Sequence, residues 1–352
     1  MMLNDRFLYK NIQVKKLKFA IVGTGNVSND HILALQQTEG VELTHIFGRN
    51  KTVLNKLAAK HNILPVSDYS ELLNNPEIDV IDITLPSGLH AEFGIQAAKA
   101  GKHVVVEKPI DVNLEKAQAL IDACKKQGVV LSVISQMRFS DAMQKLHHYV
   151  STEKFGKLLQ GDAYIKWFRT QDYYDSGAWR GTDALDGGGA FINQGIHYTD
   201  LLLSLMGPVK NVYAKTRNAI HEIEVEDTGI ALLEFDSGAQ GVIQASTALF
   251  PGQSARLEIH GTKGTVIFED DEIVFEHFED EEAYSATNTK NEGNASDPRA
   301  TNSALFIRQF EDIVDAINHK NQPKVSGEEA LKALQLVLAI YKSSASGKAI
   351  EF

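Results

Sequence analysis

The chain predicts an α/β protein: an N-terminal, doubly wound parallel sheet, then a second α/β domain on a large open, mostly antiparallel sheet. Three observations carry this. From residue 17 to about 135, apolar runs of strand length alternate with amphipathic stretches of helix length. Past about residue 136, short alternating strands follow one another directly. The 352 residues also exceed what one ordinary core organises, so two domains are expected.

In the first domain, residues 17–135, strands are expected at 17–22, 41–47, 80–84, 104–107 and 129–134. These runs are continuous and rich in β-branched residues, as when both faces of a parallel sheet are covered. Helices are expected near 29–37, 52–61, 90–100 and 114–127, with Asn113 as a start signal and Gly101 and Gly128 as stops. That alternation is the grammar of a Rossmann domain with right-handed crossovers. Residues 1–16 read as an N-terminal extension with no function of its own.

In the second domain, 136–352, a strand is expected at 158–168 and a helix at 189–206. Strands then follow at 209–216, 229–235, 240–248, 256–260, 265–269 and 272–277, punctuated by Asp236-Ser237-Gly238 and Gly261-Thr262-Lys263-Gly264. Residues 285–302, rich in Asn, Ser, Thr and Asp, read as a long loop, and helices at 303–319 and 328–344 close the chain.

Composition narrows the function classes. Hydrophobic residues at 43% and charged residues at 23% mark a folded globular chain. A net charge of −11 with no Lys/Arg stripe argues against a nucleic-acid partner. Cys124 is the only cysteine, which excludes an intramolecular disulfide and a cysteine-based zinc site. No apolar run reaches the roughly 18 residues of a membrane span, and 1–16 has no signal-peptide stretch, so a cytoplasmic protein is expected.

Gly23-Thr24-Gly25-Asn26-Val27-Ser28 follows an expected strand and opens a helix, the context that gives such a turn meaning. Gly23 allows the tight turn, Gly25 lets a pyrophosphate approach the backbone of 23–27, and Ser28 replaces the third glycine. At the end of the second strand, where an acid would hold the 2′-hydroxyl of NAD, stand Gly48 and Arg49. An arginine there suits a 2′-phosphate, so the expected cofactor is NAD(P)(H), with NADP modestly favoured.

Glu107-Lys108-Pro109 sets Lys108 just past a buried strand, at the edge where ligands of open α/β sheets gather; desolvation there lowers a lysine pKa and fits it for proton traffic. Downstream, Gly187-Gly188-Gly189 leads into Asn193 and His197, one turn apart on an expected helix. Arg138, Tyr173, Tyr174 and Arg180 are candidate sugar ligands, because aromatic faces cover sugar rings and Arg binds carboxylate or phosphate bidentately. Packing of the domain interface is an equal alternative for the two tyrosines. His197 and Asp200 lack the further ligands of a catalytic metal site, and no Gly-x-Ser-x-Gly elbow supports a serine hydrolase.

Gly23-x-Gly25, Thr84-x-Pro86-x-x-x-His90, Glu107-Lys108-Pro109 and Gly187-Gly188-Gly189 through Asn193-x-x-x-His197-x-x-Asp200 together resemble the Gfo/Idh/MocA (glucose–fructose oxidoreductase / inositol dehydrogenase) family over nearly the whole chain from Leu17. The resemblance implies hydride transfer between nicotinamide and a secondary carbinol of a sugar, cyclitol or sugar derivative. It also implies a homodimer or homotetramer formed through the open sheet. By position, Lys108 matches the family's active-site lysine and His197 its histidine, while Asn193 stands where many members carry aspartate. Thr84, Pro86, Ser87 and His90 are expected along the ribose–nicotinamide side, Glu107 beside it, and Trp179-Arg180 in reach of the cofactor. Two other readings remain open: an NAD(P)-binding sensor of the same fold, and an NAD-dependent glycosidase. Retention of both Lys108 and His197 argues against the sensor.

Within the enzyme reading, His197 is expected to be the acid–base group, since imidazole titrates near working pH. Lys108 as ammonium would then stabilise the substrate oxygen, and Asn193 would orient the hydroxyl or Lys108. The rival assignment makes Lys108 the base and His197 the orienting group.

Overall fold

The computed structural model describes residues 16–286 and 303–352. The expected extension at 1–16 and loop at 285–302 therefore fall almost wholly outside the described residues.

Six parallel strands form the first sheet, ordered β3-β2-β1-β4-β5-β6. They are β1 (Leu17–Val22), β2 (Val41–Phe47), β3 (Leu64–Val66), β4 (Val80–Ile83), β5 (His103–Val106) and β6 (Leu131–Val133). Helices α1 (Asn26–Leu35), α2 (Lys51–His61), α3 (Tyr69–Asn74), α4 (His90–Lys99) and α5 (Leu114–Gln127) connect them. Strand order reverses between β1 and β4, and the crevice beyond their carboxyl ends is where this topology places a ligand. Gly23, Thr84 and Lys108 all follow strands that end there.

Two short elements of this domain escape the sequence pattern. β3 is a three-residue edge strand containing Pro65, too short to show a period and tolerant of proline because it lies at the edge. α3 is six residues long, and its signal is the N-cap, Asp68, whose carboxylate accepts from Ser70 N at 2.9 Å. α1 also begins at Asn26, three residues earlier than expected.

After α6 (Asp141–Ser151), also unforeseen but capped by Ser140, the chain builds a nine-stranded sheet. Its members are β7 (Leu158–Lys166), β8 (Val209–Arg217), β9 (Thr228–Phe235), β10 (Gln240–Ser246), β11 (Arg256–Gly261), β12 (Gly264–Glu269), β13 (Glu272–Phe278), β14 (Tyr284–Ser285) and β15 (Ile350–Glu351). The order is β14-β13-β12-β11-β7-β10-β9-β8-β15, antiparallel except for β7 beside β10. Between β7 and β8 lie α7 (Gln171–Asp175) and α8 (Ile196–Met206). α8 and α10 (Gly327–Ser346) cover one face, over Ala163, Ile165, Val212, Leu233 and Ile243. The opposite face carries exposed apolar side chains, including Ile230 and Leu232.

α9 (Ser303–His319) returns to the first sheet and packs on α1. Its Phe306 and Phe310 pack with Phe19 and the His31 ring in a core cluster separate from the larger one. Gln309 of α9 donates to Val133 O at 2.8 Å and accepts from Ser135 N at 3.0 Å, which pins the end of β6 where the chain leaves the first sheet.

Candidate active site

The glycine turn is shaped by its neighbours. Gly23 has φ +136°, and a Cβ there would lie 2.4 Å from Thr84 Oγ1, so only glycine fits. A Cβ on Gly25, by contrast, would meet nothing within 4 Å; it would point into the open space ahead of α1. No side chain caps α1 and its first turn holds no acid, so the N–H groups that begin at Asn26 and Val27 keep their donors for an anion. A dinucleotide pyrophosphate fits this cradle. Gly48 has a different duty from the one expected: a Cβ there would sit 2.5 Å from Thr24 Cγ2, so Gly48 makes room for the turn itself. Arg49 is exposed next to it, and Asn50 caps α2.

Of the residues expected along the ribose–nicotinamide side, Thr84 and His90 spend their polar side-chain atoms on hydrogen bonds inside the protein. The Ser28 hydroxyl donates to Thr84 Oγ1 (2.8 Å) and Thr84 donates to Val22 O (3.2 Å), bolting α1, β4 and β1 together. The His90 ring lies between Pro109 O (2.7 Å) and Leu85 O (2.8 Å), clamping the loop after β4 to the loop after β5. Ser87 is buried and Pro86 half-buried between them.

Lys108 reaches from the end of β5 to the second domain, where its Nζ donates to the backbone carbonyl of Asn193 at 2.8 Å. The regular helix expected over 189–206 needs correction here, because Ala190–Gly195 is π-wound before α8 begins. Such turns often mark functional sites. The three glycines explain the entry: a Cβ on Gly189 would fall 1.6 Å from Glu226 O, and one on Gly188 2.3 Å from the Tyr341 hydroxyl. Glu226 holds the turn by accepting from Gly189 N (2.8 Å), Phe191 N (2.9 Å) and the Tyr341 hydroxyl (3.0 Å). The Asn193 side chain is engaged separately from its backbone carbonyl: its Nδ2 donates to Asp186 Oδ1 at 2.7 Å.

Asp186 is the site residue that sequence reasoning missed. It is 2% exposed and also accepts from Gly181 N at 2.8 Å. Its signal was an acid set in the otherwise apolar, glycine-rich run Ala184-Leu185-Asp186-Gly187. Burial pushes its carboxyl above the usual carboxylate range, opposed by those two hydrogen bonds and the charges of Lys108 and Arg180. Burial pushes Lys108 below the ordinary lysine value, with Arg180 adding to the shift and Glu107 and Asp186 opposing it. His197 is pushed down to about 3 by loss of solvent and then by Lys108, against Glu107. That shift makes His197 a weaker base than an ordinary imidazole. Two buried polar atoms here, His197 Nδ1 and Gln194 Oε1, have no hydrogen-bond partner among the described residues.

Tyr173 and Arg180 are brought to the same place. Arg180 donates to the Tyr173 hydroxyl (2.6 Å), lies over the Tyr173 and Trp179 rings (4.3 and 4.6 Å), and Gln194 donates to the same hydroxyl (3.3 Å). Two candidate sugar ligands are committed elsewhere. Tyr174 is buried, with its hydroxyl 2.7 Å from Thr247 Oγ1 and its ring on His221, which is the packing alternative. Arg138 forms a two-point pair with Asp200 (2.7 and 2.5 Å), and the same carboxylate accepts from Ser135. Asp200 therefore serves to tie α8 to the start of the second domain.

With this geometry in place, residues 17–135 match the "Oxidoreductase family, NAD-binding Rossmann fold" and residues 143–267 the "GFO/IDH/MocA C-terminal domain". The structure superposes on the WlbA dehydrogenase from Bordetella pertussis, solved with NADH and UDP-GlcNAcA, at TM-score 0.84 and 32% identity over 96% of this chain and 99% of that one. The chain belongs to the Gfo/Idh/MocA family. Among its other members, D-apiose dehydrogenase of Paraburkholderia graminis is 26% identical over 96% of this chain and 90% of its own length. Myo-inositol 2-dehydrogenase of Thermotoga maritima is 25% identical over 93% and 96%. Within this Gfo/Idh/MocA framework the chain is an oxidoreductase with an NAD-binding Rossmann domain and a mostly antiparallel second sheet, acting on a CH–OH group. Among the described residues, no helix is long and apolar enough to cross a membrane.

Proposed function

We propose that this protein is an NAD(P)-dependent dehydrogenase of a sugar derivative in which Lys108, not His197, carries the proton at the reacting carbinol. The observation that carries this reading is the lysine's position: its Nζ is held at 2.8 Å by the Asn193 carbonyl, beside a neutral imidazole, with its ordinary basicity reduced by burial. Burial that lowers a lysine pKa favours its neutral amine, the form a general base requires.

When bound, the nicotinamide accepts or returns the hydride. Lys108 takes the hydroxyl proton as the alcohol is oxidised and gives it back in reduction. His197 hydrogen-bonds the same oxygen without changing charge. Gly23, Gly25, Asn26 and Val27 would hold the pyrophosphate, Arg49 would meet the adenosine ribose, and Trp179 and Arg180 would border the nicotinamide side, with Glu107 buried behind Lys108 and accepting from its backbone N–H. Arg49 in place of an acid supports acceptance of NADP(H) alongside NAD(H).

For the substrate we favour a nucleotide-activated sugar bearing a carboxylate. Arg180, steadied by Tyr173 and close enough to Lys108 to influence its charge, is a ready carboxylate ligand. The Bordetella relative supports the class, having been solved with UDP-GlcNAcA. A homo-oligomer formed through the open sheet face completes the proposal. Purified protein with NAD⁺ or NADP⁺ and a panel of UDP-GlcNAcA, inositols and free aldoses tests it, read by nicotinamide absorbance. Net reduction with a member of the panel is expected. Cofactor binding with no net turnover across the panel would favour a sensor or a hydride-recycling glycosidase.

A further inference from the structure

We propose that Asp186 is the positioning residue that supplies the negative charge of this active site, acting on Lys108 through Asn193; the proposal rests on the reading of Lys108 as proton carrier. Position 193 carries an amide, which brings no charge of its own. The structure places the missing carboxylate seven residues earlier, on the other side of that amide. Asn193 is a two-ended clamp: its backbone carbonyl accepts from Lys108 Nζ at 2.8 Å, and its side-chain Nδ2 donates to Asp186 Oδ1 at 2.7 Å.

Both Asp186 oxygens accept hydrogen bonds from donors that cannot accept in return, Oδ1 from the Asn193 amide nitrogen and Oδ2 from Gly181 N. A protonated acid would leave its own O–H without a partner in this pocket, so the pattern fits the ionised carboxylate. Buried at 2% exposure, that charge is poorly screened, and it acts on Lys108 and Arg180 together. Fixing Asn193 through its side chain also sets where the carbonyl points, and hence where the amine waits for substrate. The amide at 193 is then not a loss of charge assistance but a spacer that moves the charge one group outward. Gly181 belongs to the same loop as Arg180, so Asp186 couples the order of the Arg180 loop to the state of Lys108.

The charge on Lys108 can be read without a known substrate. Full-length protein is acetylated with acetic anhydride across the alkaline range, and modification at Lys108 is followed by mass spectrometry. Asp186→Asn keeps the shape and removes the charge, so the Lys108 half-point should fall by about 1 pH unit or more. The exchange Asp186→Asn with Asn193→Asp restores a carboxylate beside Lys108 and should bring the half-point back. In the assay with UDP-GlcNAcA, the limb of the kcat/KM pH profile that reports Lys108 should move to lower pH in Asp186→Asn by the same amount, while the NADH dissociation constant stays within about twofold. An unmoved Lys108 half-point in folded Asp186→Asn overturns the proposal. Should that variant fail to fold, Asn193→Asp alone adds a carboxylate that is ionised where Lys108 titrates, and the half-point should rise; no change there overturns the proposal equally. The underlying reading fails separately: Lys108→Ala retaining turnover would remove Lys108 as proton carrier, whatever Asp186 does.

Discussion

The His31 Nε2 nitrogen lies 3.0 Å from Glu107 Oε1, and this contact joins the cofactor helix to the residue before the active-site lysine. The other ring nitrogen, Nδ1, lies 2.8 Å from Asp82 Oδ2 on β4. All three side chains are buried. Burial opposes a charge on His31, but Asp82 and Glu107 outweigh it and raise the imidazole to about 10. Burial likewise opposes charge on Glu107, yet His31, with Lys108 and His197, draws it down to about 2. The second oxygen of Glu107 accepts from Lys108 N at 3.0 Å, so this cluster also fixes the main chain from which Lys108 springs.

This arrangement predicts a pH-dependent stability with a definite sign. The His31 contribution is complete below its unfolded value near 6.5 and is lost as pH rises through about 10. The Glu107 contribution is complete above about 4.5 and is lost as pH falls through about 2. The melting temperature should therefore decline between neutral pH and about 10. In His31→Gln that alkaline slope should flatten, at a cost of about 3–5 kcal/mol at neutral pH, because buried carboxylates lose their cation. Thermal melts of both proteins across this range check it; parallel curves would show that His31 is not the titrating group.

Catalytic labour is tested by two replacements. Lys108→Ala should lower kcat by about 10² or more with NADH affinity nearly intact. His197→Gln should also reduce kcat, yet leave the pH dependence of kcat/KM unchanged, since a neutral imidazole contributes no ionisation to it. A limb near pH 6–7 that vanishes with His197 would return the proton to the histidine.

How much of this was legible in the sequence depended on how many residues each feature spans. Strands such as Leu17–Val22 and Val41–Phe47 match the expected runs because burial on both faces writes a continuous apolar signature. The three residues Leu64–Val66 are too few to write one. Lys108, Asn193 and His197 could be singled out because each sits at a recognisable offset from a strand end or a glycine run. What they do with their atoms could not be read that way. A 3.6-residue period places Asn193 and His197 on one face, whereas the π-turn, imposed by the close approach of Glu226 and Tyr341 to the glycines, sends the Asn193 amide to Asp186. Arg138 and Tyr174 have the chemistry of sugar ligands, but Asp200 and Thr247, distant in sequence, claim them.

The open space ahead of Gly25 makes a steric prediction. Gly25→Val should leave the fold intact, since its Cβ meets no protein atom, while weakening NAD(H) binding by about tenfold or more. NADH fluorescence titration and a thermal melt of the same sample separate the two effects. Unchanged affinity would move the pyrophosphate away from this turn.

Cofactor choice turns on Arg49, exposed at the end of β2 beside the glycine turn. Arg49→Ala should raise the NADPH dissociation constant by about tenfold, about 1.4 kcal/mol, and change that of NADH little. Equal losses for both cofactors would mean that Arg49 stacks on the adenine rather than holding a 2′-phosphate.

Among the described residues, one face of the nine-stranded sheet carries exposed apolar side chains. Ile230 and Leu232 on β9 are 51% and 55% exposed, and Tyr213 on β8 pairs across from Leu232 at 40%. Their alternates on the same strands, Val212, Ala231 and Leu233, are buried under α8 and α10, so Tyr213, Ile230 and Leu232 share the opposite face, where Lys215 and Gln244 flank Ile230. On the other side of β9, Val242 of β10 stands opposite Leu232, which carries the patch across three adjacent strands. A contiguous apolar face of this kind is uncommon on a monomer in water. A second copy presenting the same face about a two-fold axis would cover it without leaving an edge open to further growth. Sedimentation at micromolar concentration should give a multiple of the 38.8 kDa chain. Leu232→Lys, which puts an ammonium in the centre of the patch and leaves the core untouched, should shift the species toward monomer with the same far-ultraviolet spectrum. A native protein that sediments at 38.8 kDa would overturn the interface.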